Sequence, residues 1–409
     1  MAKIGKQTIK KPEHKAEVST PAVTEPVVNT TPAVSLTKPQ QDLLARKLAA
    51  QAKLIKKYDV RGGSASGLKP PGFYPTGLAV LDNEVLGIGG LPKGRIIEFY
   101  GPKSAGKSAT AMHLAGNAQK LDPTITVKIY DREGSFSYKW GKAMGMDVGE
   151  ETDDDNFTDD VRRFGRTTVV RGGTAETMAN MIKEDLSLGE LAPNIIIIDS
   201  IAVITTEVVM GKDIDDLNMR DNLSRADFLT KFFNSITDGW FWPAADSKGK
   251  LPSGAKQIRL DDTETTIMCI NHAKERTKSA AGRTWVEWYS VGGVSLDFHA
   301  CMQLMIKRIG FLEDALKNVS HQKLNVCADK NKLAPPKREC QLLLDFKGGL
   351  SQLGTIDWLS LAIDKGLAEK NGAWIKSHVL LEEGKIQGED AFNKYIEKHD
   401  EAKALLTAS

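Results

Sequence analysis

Long apolar runs are missing from this sequence, so no segment reaches transmembrane length. The amino terminus lacks the apolar centre of a secretory signal. Cysteine is scarce: Cys269, Cys301, Cys327 and Cys340 are the full set, and none forms a C-x-x-C pair. Neither a zinc site nor a disulfide framework is read from that spacing, and a reducing, cytoplasmic setting fits it. A strong charge of either sign is missing too. The 55 Lys and Arg against 53 Asp and Glu leave a formal net charge of +2 over 409 residues. No global basic field advertises nucleic acid, so any such binding must come from local patches. The length suits a large core domain plus one or two small modules.

What is present is organised around Gly101-Pro102-Lys103-Ser104-Ala105-Gly106-Lys107-Ser108, a complete G-x-x-x-x-G-K-[ST] pattern. Residues 95–100 before it are apolar and β-prone and predict a strand ending at Gly101. Residues 109–115 after it predict a helix. A loop so placed aims backbone N–H groups inward, and the helix N-terminus adds its dipole. Gly101 through Ala109 therefore predict a cradle for nucleotide phosphates. Lys107 would reach the β/γ oxygens, and the Ser108 hydroxyl would ligate Mg²⁺.

Residues 1–39 are rich in Lys, Thr, Val and Pro and predict a disordered tail. Residues 40–73 predict an amphipathic helix ending near Tyr58, followed by a Gly/Ser-rich connector. The leucines of that helix, Leu43, Leu44, Leu48 and Leu54, need a partner surface.

Residues 74–350 alternate strand and helix signals as an α/β core does. A strand at 126–130 runs into Asp131-Arg132-Glu133. The acidic stretch 148–160 reads as a solvated loop. A short strand at 167–171 and a helix at 174–188 follow. Four consecutive isoleucines, Ile195 to Ile198, suit a strand buried on both faces of a parallel sheet. Asp199 at its end lies where ligands bind in open α/β sheets, and would hold Mg²⁺ directly or through water. Another buried strand, 265–271, ends in Asn271-His272, which puts His272 where a γ-phosphate sensor would sit. Residues 273–291 then mix Lys274, Arg276, Lys278 and Arg283 with Trp285, Trp288 and Tyr289, before Gly292-Gly293. This reads as a loop suited to single-stranded nucleic acid, with cations for phosphates and rings for stacking. Residues 296–310 and 323–346 read as strands around helix and turn signals. Residues 351–409 read as a small α/β domain.

Together these motifs resemble the RecA family of homologous-recombination ATPases, over about Thr76 to Gly388. The likeness is carried by Gly89-Gly90-Leu91-Pro92-Lys93-Gly94-Arg95-Ile96, by the phosphate loop and by Asp131-Arg132-Glu133. It is carried also by Gly292-Gly293-Val294-Ser295-Leu296-Asp297-Phe298 with Arg308-Ile309-Gly310, and by Lys330-Asn331-Lys332-Leu333-Ala334-Pro335-Pro336. The resemblance implies a RecA-like P-loop ATPase core with a mostly parallel central sheet flanked by helices. An N-terminal oligomerisation helix and a small C-terminal domain would complete it.

The implied cofactors are ATP and Mg²⁺. Glu133 would activate the attacking water, and Trp140 would stack on adenine. Lys330 and Lys332 would reach the ATP site of the next subunit. Met219, Arg220 and Arg225 fall at the first DNA loop, and residues 273–291 at the second. The helix near residues 41–57 would dock on a neighbouring protomer. The implied activity is DNA-dependent ATP hydrolysis that drives strand exchange. The implied partners are single- and double-stranded DNA, further copies of the chain in a helical filament, and single-strand-binding and mediator proteins. A bacterial or phage-infected host cytoplasm is the implied setting.

Some positions depart from the bacterial pattern. His272 replaces Gln, as phage recombinases of this type can show, which points to a phage-type member. Asp297 replaces a basic interface residue. Residues 238–262 and about 150–160 look inserted, and the chain ends without a strongly acidic tail. Two alternatives share the ATP site: a hexameric RecA-fold ATPase such as a helicase, and a DNA-coating protein without turnover. Lys330, Lys332 and the Gly292-Gly293 segment favour the recombinase over the first. Glu133 and His272 argue against the second.

Overall fold

The structure, a computed structural model, describes residues 37–57, 71–150, 165–216, 219–280, 283–291, 294–313, 316–353, 358–364 and 366–407. Residues 1–36 of the expected N-terminal tail and most of the acidic stretch lie outside these residues, while Lys38 and Pro39, expected in the tail, already belong to a helix. The chain divides into two units, Met1–Lys69 and Pro70–Ser409.

In the first unit, helix α1 runs Lys38–Lys57 and leaves Leu43, Leu44, Leu48 and Leu54 exposed. Lys56 and Lys57 in its last turn complement the helix dipole.

The second unit opens with strands β1 (Phe73–Tyr74) and β2 (Leu91–Pro92), paired antiparallel. Then come β3 (Ile96–Gly101), α2 (Lys107–Leu121), β4 (Val127–Asp131), α3 (Tyr138–Ala143), β5 (Thr167–Val170), α4 (Ala175–Ser187) and β6 (Ile195–Asp199). After β6 the chain makes α5 (Glu207–Met210), α6 (Met219–Asp238) and a small hairpin of β7 (Trp240–Trp242) and β8 (Lys256–Ile258). Next are β9 (Thr266–Ala280), β10 (Arg283–Ser290), α7 (Val294–His299), β11 (Met302–Glu313), β12 (Val319–Asn331), β13 (Glu339–Asp345) and β14 (Gly349–Leu353). The chain closes with α8 (Trp358–Asp364), a three-stranded antiparallel sheet of β15 (Glu369–Asn371), β16 (Trp374–Lys376) and β17 (Lys385–Gln387), then α9 (Glu389–Lys398) and α10 (Asp400–Thr407).

The central sheet has ten strands in the order β14-β13-β12-β11-β3-β9-β6-β4-β5, with β10 hung on β9. The strands from β11 to β5 along this order run parallel, and β12 to β14 add an antiparallel wing. This is the expected α/β core. The four isoleucines of β6 show why it forms. Ile195 and Ile197 pack into the core on one face, and Ile196 and Ile198 into the core on the other. Each is fully buried, and each such burial contributes about 1.5–3 kcal/mol. Parallel strands covered on both faces by helices demand this uninterrupted apolar run.

One consequence of the strand order positions the site. β9 lies between β3, which carries the phosphate loop, and β6, which carries Asp199. Asn271 and His272, midway along β9, therefore lie between those two functional ends.

The expectation of a loop at residues 273–291 is corrected. β9 continues past His272 to Ala280 and turns back as β10, so the segment is a β-hairpin in register from Ala273↔Ser290 to Ala280↔Arg283. Thr277, Val286, Trp288 and Tyr289 are β-branched or aromatic residues, which favour strands over irregular backbone. Residues 296–299, read with the strand after them, belong instead to helix α7.

Candidate active site

β3 ends at Gly101 hard against β11. A Cβ at Gly101 would stand 2.0 Å from the Ile306 carbonyl oxygen, so only glycine fits. Gly106 precedes α2 in the left-handed conformation, φ 88°, and no side chain caps the helix. The N–H groups of its first turn are thus left for an anion. Lys107 is buried, and its Nζ donates to the carbonyls of Gly101 at 3.1 Å and Pro102 at 2.8 Å. Burial lowers its pKa, while the carboxylates of Glu133 and Asp199 pull it back up.

Asp199 ends β6 at 2% exposure. Neither carboxylate oxygen meets a donor with hydrogen-bond geometry. The Ser108 hydroxyl lies close enough to oppose the upward push of burial, and Glu133 and Asp131 add to that push. The carboxyl settles at about 6. A buried carboxylate left without a donor is expensive unless a cation or proton meets it. Ser108 and Asp199 therefore suit a Mg²⁺ ion. Among the described residues no group of three or more His, Cys, Asp or Glu could hold a metal alone. Such an ion would take its other ligands from phosphate and water.

Asp131-Arg132-Glu133 divides its labour. Asp131 is buried, accepts the N–H groups of Ser135 at 3.0 Å and Phe136 at 3.2 Å, and pairs with Arg171 at 2.9 Å. Arg132 donates to the carbonyls of Gly172 and Gly173. The backbone N–H groups of Arg132 and Glu133 both reach the Asp199 carbonyl, at 2.6 and 3.2 Å. These contacts pin the loop over the end of β6 and leave the Glu133 side chain to the site. Glu133 Oε1 accepts the Ser200 hydroxyl at 2.5 Å and lies 3.1 Å from His272 Nε2. With its proton on Nε2, His272 would donate to this oxygen. Lys107, Asp199, Glu133 and His272 are thus brought to one end of the sheet. Ser200 was missed at the sequence level; its only signal was adjacency to Asp199.

Other expected residues fall elsewhere. Trp140 sits in α3, whose N-cap Ser137 accepts the Trp140 N–H at 3.2 Å, and its ring is half-buried against the core. Lys330 Nζ donates to the Asp297 carbonyl, and Lys332 Nζ donates to the Phe298 carbonyl at 2.7 Å. Both lysines are therefore lodged on the end of α7. Burial and the neighbouring Lys332 lower the Lys330 pKa, and Asp297 opposes them. Arg225 donates to the Ala202 carbonyl, which ties α6 to the segment after β6. The side chains of Met219, Arg220, Arg283 and Trp285, and all of Gly292 and Gly293, lie outside the described residues.

The hairpin has two unlike faces. The pleat puts Lys274, Arg276 and Lys278 on one side and Glu275, Thr277 and Ser279 on the other. On the basic side the Arg276 guanidinium lies 4.7 Å from the Tyr289 ring centroid. Lys278 pairs with Glu287 at 2.5 Å. A cavity of about 750 Å³ beside β7–β8 is lined by Asn194, Trp242, Lys256 and Thr265, among others, and by none of the phosphate-loop residues.

Comparison with known proteins matches this arrangement. The RecA N-terminal domain family covers residues 70–155, which include the phosphate loop and Glu133. Protein RecA of Saccharopolyspora erythraea is 28% identical over 305 residues, 75% of this chain and 74% of that protein. Protein RecA of Syntrophus aciditrophicus is 26% identical over 340 residues, 83% of this chain and 84% of that protein. The chain is similar to RecA proteins over most of its length. The RecA likeness runs well beyond the N-terminal match, since the Syntrophus aciditrophicus alignment spans most of the chain.

Proposed function

We propose that this chain is an ATP-dependent recombinase of the RecA family. It would assemble as a helical filament on single-stranded DNA, pair that strand with homologous duplex and exchange strands. The observation that carries the reading is the continuity of β9. One 15-residue strand holds His272 beside Glu133 at the nucleotide end and then becomes the basic arm of the hairpin. A helicase reading gains nothing from the comparisons.

In the proposed division of roles, Gly101 to Ala109 cradle the phosphates, with Lys107 on the β/γ oxygens, and Trp140 stacks on adenine. Ser108 and Asp199 would hold Mg²⁺, which supplies charge neutralisation on the phosphates when bound. Glu133 orients and deprotonates the water, and Ser200 and His272 fix its carboxylate. Lys330 and Lys332 serve the next subunit's site, and α1 docks on a neighbouring protomer. The basic hairpin face contacts DNA, with Met219, Arg220 and Arg225 and the Gly292-Gly293 segment contributing the other contacts. Residues 74–350 form the ATPase core and 351–409 a C-terminal domain. A cytoplasmic setting fits; no helix among the described residues is long and apolar enough to cross a membrane.

Electron microscopy with single-stranded DNA and a non-hydrolysable ATP analogue tests the assembly. Continuous helices are expected, and closed rings would overturn the reading. Glu133→Gln tests the turnover site. It should keep nucleotide affinity while hydrolysis falls about 10²–10⁴-fold, the usual contribution of a general base. Hydrolysis at the wild-type rate would place the base elsewhere.

A further inference from the structure

Glu98 is an acid in the middle of the apolar strand β3, with 0% exposure. Its register neighbours are Cys269 on β9 and Gln303 on β11. Glu98 Oε1 accepts the Asn271 amide at 2.7 Å, and Oε2 accepts the Gln303 amide at 2.6 Å. Each amide has a second duty. Asn271 Nδ2 also donates to the Val291 carbonyl, where the hairpin re-enters the core, and its Oδ1 accepts the His272 N–H at 2.8 Å. Gln303 Nε2 also donates to Asp297 at 2.7 Å, on the helix whose end receives Lys330 and Lys332. Ser290 Oγ reaches the same Asp297 oxygen at 3.4 Å.

We infer that Glu98 is the positioning residue that makes His272, the base of the proposed DNA hairpin and the end of α7 that receives Lys330 and Lys332 move as one unit. The inference rests on the recombinase reading above. A displacement of His272 carries Asn271 with it. Asn271 is fixed to Val291 and, through Glu98, to Gln303 and Asp297. Burial pushes the Glu98 carboxyl up to about 6, and the two amide donors hold it down against that push. A carboxylate is all acceptor, so it alone keeps both NH₂ groups turned inward. Gln at the same position offers one acceptor and one donor. One neighbour must then turn. Turning Asn271 breaks its bonds to Val291 and His272, and turning Gln303 sets a carbonyl against Asp297.

The test measures single-stranded DNA affinity with an ATP analogue and with ADP, for wild type, Glu98→Gln and Asp297→Ala. Melting temperature and nucleotide affinity are followed in parallel. Asp297→Ala removes the exposed carboxylate that joins Gln303 to Ser290 but keeps the carbonyl that receives Lys330. Wild type should bind DNA more tightly with the analogue. In Glu98→Gln that ratio should fall about tenfold, the scale of one charge-assisted hydrogen bond lost from one of two states. Asp297→Ala should lower it in the same direction. Nucleotide affinity should hold in both.

An unchanged ratio in Glu98→Gln overturns the inference, as does a loss of nucleotide affinity equal to the loss of DNA affinity. If Glu98→Gln does not fold, Asp297→Ala decides by the same ratio. A wild type without any nucleotide-dependent ratio would overturn the recombinase reading itself, and the role of Glu98 would fall with it.

Discussion

Asp199 shows at residue scale how the site trades stability for a cation. Its carboxyl is held at about 6 in the folded protein, against an ordinary 3.8. A raised carboxyl binds its proton more readily folded than unfolded. Its contribution is therefore favourable below about pH 4 and is lost as pH rises through about 6. That shift already includes the attraction of Lys107, so at pH 7 the nucleotide-free protein carries a cost of up to about 3 kcal/mol, at 1.36 kcal/mol per unit. Asp199→Asn should then melt at a higher temperature than wild type at pH 7.5 without nucleotide, and the gap should close near pH 4. The same variant should gain less from Mg²⁺ and an ATP analogue, because the amide is a poor cation ligand. Thermal melting at both pH values, with and without Mg²⁺–analogue, reads both effects. An unchanged melting temperature at pH 7.5 would mean that the carboxylate finds a partner in solution.

At the scale of elements, the hairpin β9–β10 is the part of the fold least legible in the sequence. β3 and β6 announce themselves by apolar runs. The second half of β9, Lys274-Glu275-Arg276-Thr277-Lys278-Ser279, carries no such run and buries little, so hydrophobic periodicity is silent there. The usable signal lay on the returning side alone, where Thr284, Trp285, Val286, Trp288 and Tyr289 form a β-prone run just after Gly282. The Glu133–His272 contact was illegible for another reason. It spans 139 residues and exists because β9 inserts between β3 and β6. Glu98 was passed over because a single acid does not break an apolar pattern. The two-faced hairpin yields a prediction at this scale. Replacing Lys274, Arg276 and Lys278 with Ala should weaken single-stranded DNA binding for any sequence. It should also flatten the salt dependence by up to about 2 in slope, at about 0.7 per phosphate contact. Changing Glu275, Thr277 and Ser279 on the other side should leave the slope as it was. Equal losses from both sides would show that the faces are not distinguished, and that the strands do not persist on DNA.

At the scale of the whole molecule, Lys107 is the cation buried at the proposed ATP site of one chain. The natural donors for a second, Lys330 and Lys332, lodge on the carbonyls of Asp297 and Phe298. Those carbonyls are neutral, and burial lowers the Lys330 pKa. A lysine so held is poised to exchange a carbonyl for a phosphate, which is a stronger, charge-assisted partner. In a filament that phosphate would belong to the adjacent subunit, much as an arginine finger acts in trans. Lys330→Ala/Lys332→Ala should therefore lose DNA-stimulated hydrolysis while keeping its fold and its nucleotide affinity. Lys107→Ala should lose nucleotide-driven activity for the separate reason that its own cradle fails. Each is inactive alone, yet they are defective on opposite sides of an interface. In a co-assembled mixture, some interfaces pair the intact cradle of the lysine variant with the intact lysines of the Lys107→Ala chain. If assembly is random and equimolar, about one interface in four has both halves intact, so hydrolysis should return to a fraction of wild type and peak near equal proportions. Action within one chain predicts no recovery at any ratio. The measurement is DNA-stimulated hydrolysis across a mixing series, with co-assembly confirmed by differently tagged chains. A mixture as inactive as either parent, despite confirmed co-assembly, would return Lys330 and Lys332 to the surface of a single subunit.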